Sequence, residues 1–96
     1  MSLVIWKYRI DPERATDLQA QEIRVPAYSK TLSFGSQGYE VYVWLLVGRE
    51  TEATHSRFFR AYLTGEAIPN EPGEFIGTAM TQSGMVIHLF EVSRAA

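Results

Sequence analysis

The chain has 96 residues, 46% of them hydrophobic and 21% charged, with a formal net charge of −2. That length makes one domain spanning residues 1–96, able to bury roughly 60–65% of its extended-chain surface, and the composition argues against both a disordered polymer and a membrane-spanning class. The weak negative charge supplies no general field for nucleic acid or an anionic membrane. The lack of cysteine removes disulfides, thiolate metal sites and thiol nucleophiles, and fits a cytoplasmic protein.

Leu3 to Ile10 alternates, with Val4, Trp6, Tyr8 and Ile10 on one face and Leu3, Ile5, Lys7 and Arg9 on the other, which reads as a first strand. Its opening residues lack a basic segment followed by a long apolar run, so neither a signal peptide nor an anchor is expected. Asp11-Pro12-Glu13-Arg14-Ala15 ends the strand, as a single helical turn or a simple loop. Gln19 to Val25 places Ile23 and Val25 together and stops at Pro26, a half-exposed strand, and Pro26 to Ser29 connects onward.

Thr31 to Ser36 alternates again, and Gln37-Gly38 is a two-residue turn signal before Tyr39 to Val47. This nine-residue run of β-branched and aromatic residues holds one charge, Glu40, and wants cover on both faces. It is the expected central strand. The turn sets Ser36 opposite Tyr39, Phe34 opposite Val41, Leu32 opposite Val43, Ser33 opposite Tyr42 and Thr31 opposite Trp44, which gathers the apolar residues on one side.

Gly48 to His55 has no apolar period and reads as a solvated loop. Ser56 to Thr64 resumes as a strand, with Phe59, Ala61 and Leu63 opposite in sense to Phe58, Arg60 and Tyr62. Gly65 to Glu74 is a long connection containing Glu71-Pro72-Gly73-Glu74, suited to a type II turn. Phe75 to Gln82 and Met85 to Val92 then form a hairpin about Ser83-Gly84. With a two-residue loop, Gly77 faces Phe90, Ala79 faces His88, Thr81 faces Val86 and Met80 faces Ile87, so an aromatic ring lies over a bare glycine. Residues beyond Val92 are expected to fray. Seven short strands without a repeat or linker predict an all-β domain, an antiparallel β-sandwich or a partly closed barrel.

Few residues carry chemistry. His88 alternates with Val86 and Phe90 and reads as a half-buried sheet histidine bonded to a neighbour, with no catalytic partner placed by the sequence. Glu50, Glu52 and His55 combine hard oxygen ligands with an imidazole, as a divalent metal site would, but the same residues suit a solvated loop. No cofactor is assigned. Arg57, Arg60 and Tyr62, interleaved with Phe58 and Phe59, fit a stacking platform for single-stranded nucleic acid. Strand propensity explains them equally, and the acidic loop of Glu66, Glu71 and Glu74 opposes the polyanion. Phosphate-binding glycines, a paired-carboxylate site and a nucleophile motif are all missing. The first reading is therefore a non-enzymatic protein-binding or self-assembling β module, a homo-oligomer or the partner of another protein, with no membrane association. Nucleic-acid binding is the alternative, and a small metal-dependent enzyme stands third.

Ile5-Trp6-Lys7-Tyr8, Pro26 followed by Lys30-Thr31-Leu32-Ser33, Leu45-Leu46-Val47, Phe75-Ile76-Gly77-Thr78 and Val86-Ile87-His88-Leu89-Phe90-Glu91 stand in the order and spacing of a known family. By these segments the chain resembles a domain-of-unknown-function family of small proteins from tailed phages and prophages. It departs from that family at Gly65-Glu66-Ala67-Ile68-Pro69, in place of a Gly-His-Pro-like loop, and at Ile87, where a tryptophan is common. The resemblance implies a phage or prophage origin and a compact fold, and brings no activity or catalytic residue.

Overall fold

The computed structural model describes residues 2–16 and 19–93; the expected fraying falls mainly on residues 94–96, outside that range. Seven strands follow in order: β1 (Leu3–Ile10), β2 (Gln21–Pro26), β3 (Ser29–Gln37), β4 (Glu40–Gly48), β5 (Thr54–Leu63), β6 (Glu74–Met80) and β7 (Val86–Val92). They make two sheets, one ordered β1-β4-β3 and one ordered β2-β5-β7-β6, with every pairing antiparallel. No ladder joins β3 to β6, although they are close neighbours, so the fold is a sandwich and not a closed barrel. No helix among the described residues is long and apolar enough to cross a membrane.

Strand β4 is central to the smaller sheet because both its faces are apolar. Val41, Val43, Leu45 and Val47 are each no more than 1% exposed and point at the other sheet. Ile10, Tyr8, Trp6 and Val4 of β1 stand opposite them on the same face. From the larger sheet, Ile23, Val25, Phe59, Ala61, Ala79, Ile87 and Leu89 complete the core. Burying each valine, leucine, isoleucine or phenylalanine side chain among these stabilises by about 1.5–3 kcal/mol, and the alternation allows it only in registers that keep these faces together.

The β3–β4 register differs from the expected one by two residues. Phe34 is opposite Val43, Gly35 opposite Tyr42, Ser36 opposite Val41 and Gln37 opposite Glu40. The turn residues are Gly38 and Tyr39, with Gly38 at φ 63°, the left-handed conformation that a type II′ turn asks of its first central residue. A shift of two preserves faces, so the gathering of apolar residues on one side fits both registers. A bulge between Thr31 and Ser33 then leaves Leu32 44% exposed instead of opposite Val43. Trp44 leans over Gly35, where an added Cβ would lie 3.4 Å from its ring. Strand β5 starts at Thr54, inside the expected loop, because β2 pairs with it there.

The last hairpin is off by one residue, and that changes more. Thr81 N–H donates to the Met85 carbonyl and Gly84 N–H to the Thr81 carbonyl, both at 2.9 Å, so the loop has three residues, Gln82-Ser83-Gly84. Gly84 at φ 90° supplies the left-handed residue that such a loop needs. Gly77 is therefore opposite Leu89, Thr78 opposite His88, Ala79 opposite Ile87 and Met80 opposite Val86. Phe90 faces Phe75, beyond a bulge between Phe75 and Gly77, and its ring does not lie over Gly77. The space above Gly77 belongs to β3: an added Cβ would lie 3.5 Å from the Phe34 Cβ.

Strands β5 and β6 flank β7 and run parallel to each other. Their connection, residues 64–73, must cross β7, and the core face is taken by the other sheet. It crosses the outer face, where Arg60 is 8% and Tyr62 1% exposed.

Candidate functional site

Arg57 is opposite Ile23 in the ladder and so shares the core-facing side of β5 with Phe59 and Ala61. Glu91 shares the corresponding side of β7 with Ile87 and Leu89. The two meet at the end of the sandwich, Arg57 Nη1 to Glu91 Oε2 at 2.5 Å, with side chains 19% and 14% exposed. A charge taken that far from water is tolerable only when paired and fully bonded, and the remaining groups provide this. Arg57 Nη2 donates to the Ser29 carbonyl at 2.7 Å, Arg57 Nε to Ser29 Oγ at 3.0 Å and Nη1 to Thr31 Oγ1 at 3.3 Å. Thr31 Oγ1 in turn donates to Glu91 Oε1 at 2.8 Å, and His55 Nε2 lies 3.3 Å from Ser29 Oγ. The network ties β3 of one sheet to β5 and β7 of the other. It is a clamp between layers, and it uses the guanidinium fork on acceptors from the chain itself.

Arg60 and Tyr62 point the opposite way. They stand opposite Phe90 and His88 on the outer face, under the crossover, and Tyr62 packs edge-on against Phe90 with ring centroids 5.7 Å apart. Arg57, Arg60 and Tyr62 therefore share no exposed surface. His88 is half-buried and stands opposite Thr78, not over Ala79. Its Nδ1 is 2.8 Å from Thr78 Oγ1 and its Nε2 2.8 Å from Thr64 Oγ1. A hydroxyl beside an imidazole is half of an activated nucleophile, but the orienting group on the second ring nitrogen is another hydroxyl and not a carboxylate.

Glu50 accepts the Ser2 N–H with both oxygens, at 2.8 and 3.1 Å, and this bond holds its carboxyl below the usual carboxylate range. His55 is turned to Ser29 inside the clamp, and the structure does not bring it together with Glu50 and Glu52. Among the described residues, no three His, Cys, Asp or Glu side chains stand close enough to hold a metal ion.

The remaining feature is the outer face of the three-stranded sheet. Leu3 and Ile5 are 47% and 58% exposed there, beside half-buried Tyr42, Trp44 and Leu46. Tyr42 and Trp44 lie with ring centroids 6.0 Å apart. Lys7 stretches over the Tyr42 ring, its Nζ 4.3 Å from the centroid, to bond Gln37 on β3, and Arg9 pairs with Glu40 at 2.6 Å. The two-sided apolar character of β1 and β4 is visible in the sequence. The clamp was missed there, although its signal exists: Arg57 and Glu91 are opposite charges at core-facing positions of two apolar alternations.

Two antiparallel sheets packed face to face, pinned at one end by a polar clamp and bare on one outer face, define a small β-sandwich domain. The chain belongs to a family described as a domain of unknown function, DUF7352, whose profile matches residues 1–96. Comparison with curated proteins gave no match, and comparison with solved structures gave none.

Proposed function

We propose that the protein is a non-enzymatic binding module that associates with protein, and first with its own copies, through the sheet β1-β4-β3. One observation carries this reading. Leu3 and Ile5 are about half exposed beside Tyr42, Trp44 and Leu46, and no described element lies over them, whereas the outer face of β5 and β7 is crossed by residues 64–73. Apolar area removed from water stabilises a complex by about 25 cal/mol per Å² before the costs of association, and closed symmetry is the usual way for a single chain to use such a surface. The resemblance to small phage and prophage proteins supplies the setting, an accessory protein in the cytoplasm of the bacterial host, and the lack of cysteine fits that compartment.

Sedimentation velocity across the micromolar range tests the reading. A concentration-dependent dimer or higher oligomer is expected, and Ile5→Glu should shift it towards monomer with an unchanged far-UV circular dichroism spectrum. A monomer at every concentration would overturn the proposal.

A further inference from the structure

We propose that two copies join edge to edge, β1 pairing antiparallel with β1 of the second copy about Ile5, so that their three-stranded sheets become one continuous sheet. The inference rests on the association proposed above and places the contact at the β1 edge of that sheet, where Ile5 of one copy would stand beside Ile5 of the other on the outer face.

The direction of the backbone groups along β1 follows from two hydrogen bonds. Ser2 gives its carbonyl to Arg49 N–H at 2.9 Å, towards β4, and Arg9 gives its carbonyl to Gln21 Nε2 at 2.9 Å, away from β4. In an antiparallel strand one residue directs its N–H and C=O to the same side and the next directs both to the other. Val4, Trp6, Tyr8 and Ile10 therefore bond β4, while Leu3, Ile5, Lys7 and Arg9 face the open edge. Among the described residues, no hydrogen bond reaches the backbone of Leu3, Ile5 or Lys7 on that side. At Arg9 the edge is stopped by Gln21, whose amide oxygen also accepts the Asp11 N–H at 2.8 Å.

Soluble proteins usually guard such an edge with charge, proline or a bulge. Here the guards are withdrawn. Lys7 is drawn across β4 to Gln37, and Arg9 is held by Glu40 on the sheet's own face. The other edges differ: β3 and β6 lie against each other at the Phe34–Gly77 approach, and the outward positions of β2 are the charged Glu22 and Arg24 and then Pro26, which has no N–H.

The open groups are symmetric about Ile5, which selects a second copy as the partner. In the antiparallel pairing centred there, Ile5 meets Ile5 of the second copy, and Leu3 meets Lys7 in both directions. Each pair exchanges both N–H···O=C bonds, using only groups that the chain leaves open. No like charges are directly opposed, whereas a pairing centred on Lys7 would set lysine against lysine. On the core-facing side, Trp6, 43% exposed, meets Val4 of the second copy.

Amide hydrogen exchange by NMR, at concentrations below and above the association midpoint, reads this edge directly. The Leu3, Ile5 and Lys7 amides should slow by about tenfold or more on association, while Val4, Trp6 and Tyr8 are slow at both concentrations. Ile5→Pro removes an edge N–H without touching the β4 ladder, and it should abolish association where Ile5→Val does not. Association with the three amides still fast would overturn the edge geometry and leave the association itself standing. A monomer throughout would overturn both.

Discussion

Gly77 gives a test of the packing in which the sign of the effect changes with a single carbon branch. An added Cβ there lies 3.5 Å from the Phe34 Cβ, 3.7 Å from the Phe34 carbonyl oxygen and 3.9 Å from the Phe34 nitrogen. These are ordinary van der Waals separations, and Gly77 is not among the glycines with positive φ. Alanine therefore fits, and Gly77→Ala should stabilise by about 0.4–1 kcal/mol through the lost freedom of the unfolded chain. Valine puts two more carbons on a Cβ already in contact with β3. Two of the three atoms it meets are backbone, which cannot rotate away, and Phe34 itself is only 8% exposed. Gly77→Val should cost about 1–3 kcal/mol despite valine's strand propensity. Urea denaturation with an unchanged m-value measures both. In double-mutant cycles, Gly77→Val should couple with Phe34→Ala by more than about 0.5 kcal/mol and be additive with Phe90→Ala, which sits on the other face of the sheet. Coupling to Phe90 in place of Phe34, or an alanine variant less stable than the parent, would refute the register and the approach of β6 to β3.

The clamp and the bond between Ser2 and Glu50 can be tested separately. Removing one partner of the Arg57–Glu91 pair, as in Glu91→Leu, should destabilise towards the low end of about 3–5 kcal/mol, since both side chains keep a little solvent, and the double variant Arg57→Met/Glu91→Leu should recover most of the loss; chemical denaturation of the three variants decides. Glu50 titrates below its ordinary value of 4.5 because of the Ser2 N–H, so its contribution is complete above that pH and is lost as pH falls through the lower folded value. The melting-temperature difference between parent and Glu50→Gln should therefore shrink in acid, and a difference constant with pH would remove Glu50 from the account.

How far the sequence reveals this fold depends on what a period of two can distinguish. All seven strands are legible because β-branched and aromatic residues alternate between breaks that each carry a Gly or a Pro. Pairing partners are less so. In β3–β4 a slip of two leaves Phe34 on the same face, and nothing in the apolar pattern separates Val41 from Val43 as its partner. In β6–β7 the Ser83-Gly84 signal suits a two-residue loop as well as the last two positions of a three-residue one, and that single residue moves Phe90 from Gly77 to Phe75. The ring-over-glycine contact does exist, between Trp44 and Gly35, a pair set by the register that the pattern cannot fix. Among the candidate residues, strand parity alone already separates Arg57 from Arg60 and Tyr62. The crossover that covers the last two depends on β7 lying between β5 and β6, which no local signal encodes.

That crossover also orders events in time. Strand β7 is the last of the seven in the chain, yet it forms the middle of its sheet, so β5 keeps an unpaired edge until β7 arrives. The β6–β7 hairpin closes across a short loop and is local; its docking on β5 has to close a much longer one, with a larger entropy loss before any contact is gained. During synthesis, β1, β3 and β4 can assemble as soon as β4 emerges. The larger sheet cannot pass beyond β2 and β5 until the final strand is available, and for that interval Phe59 and Ala61 lie on a strand with one side open.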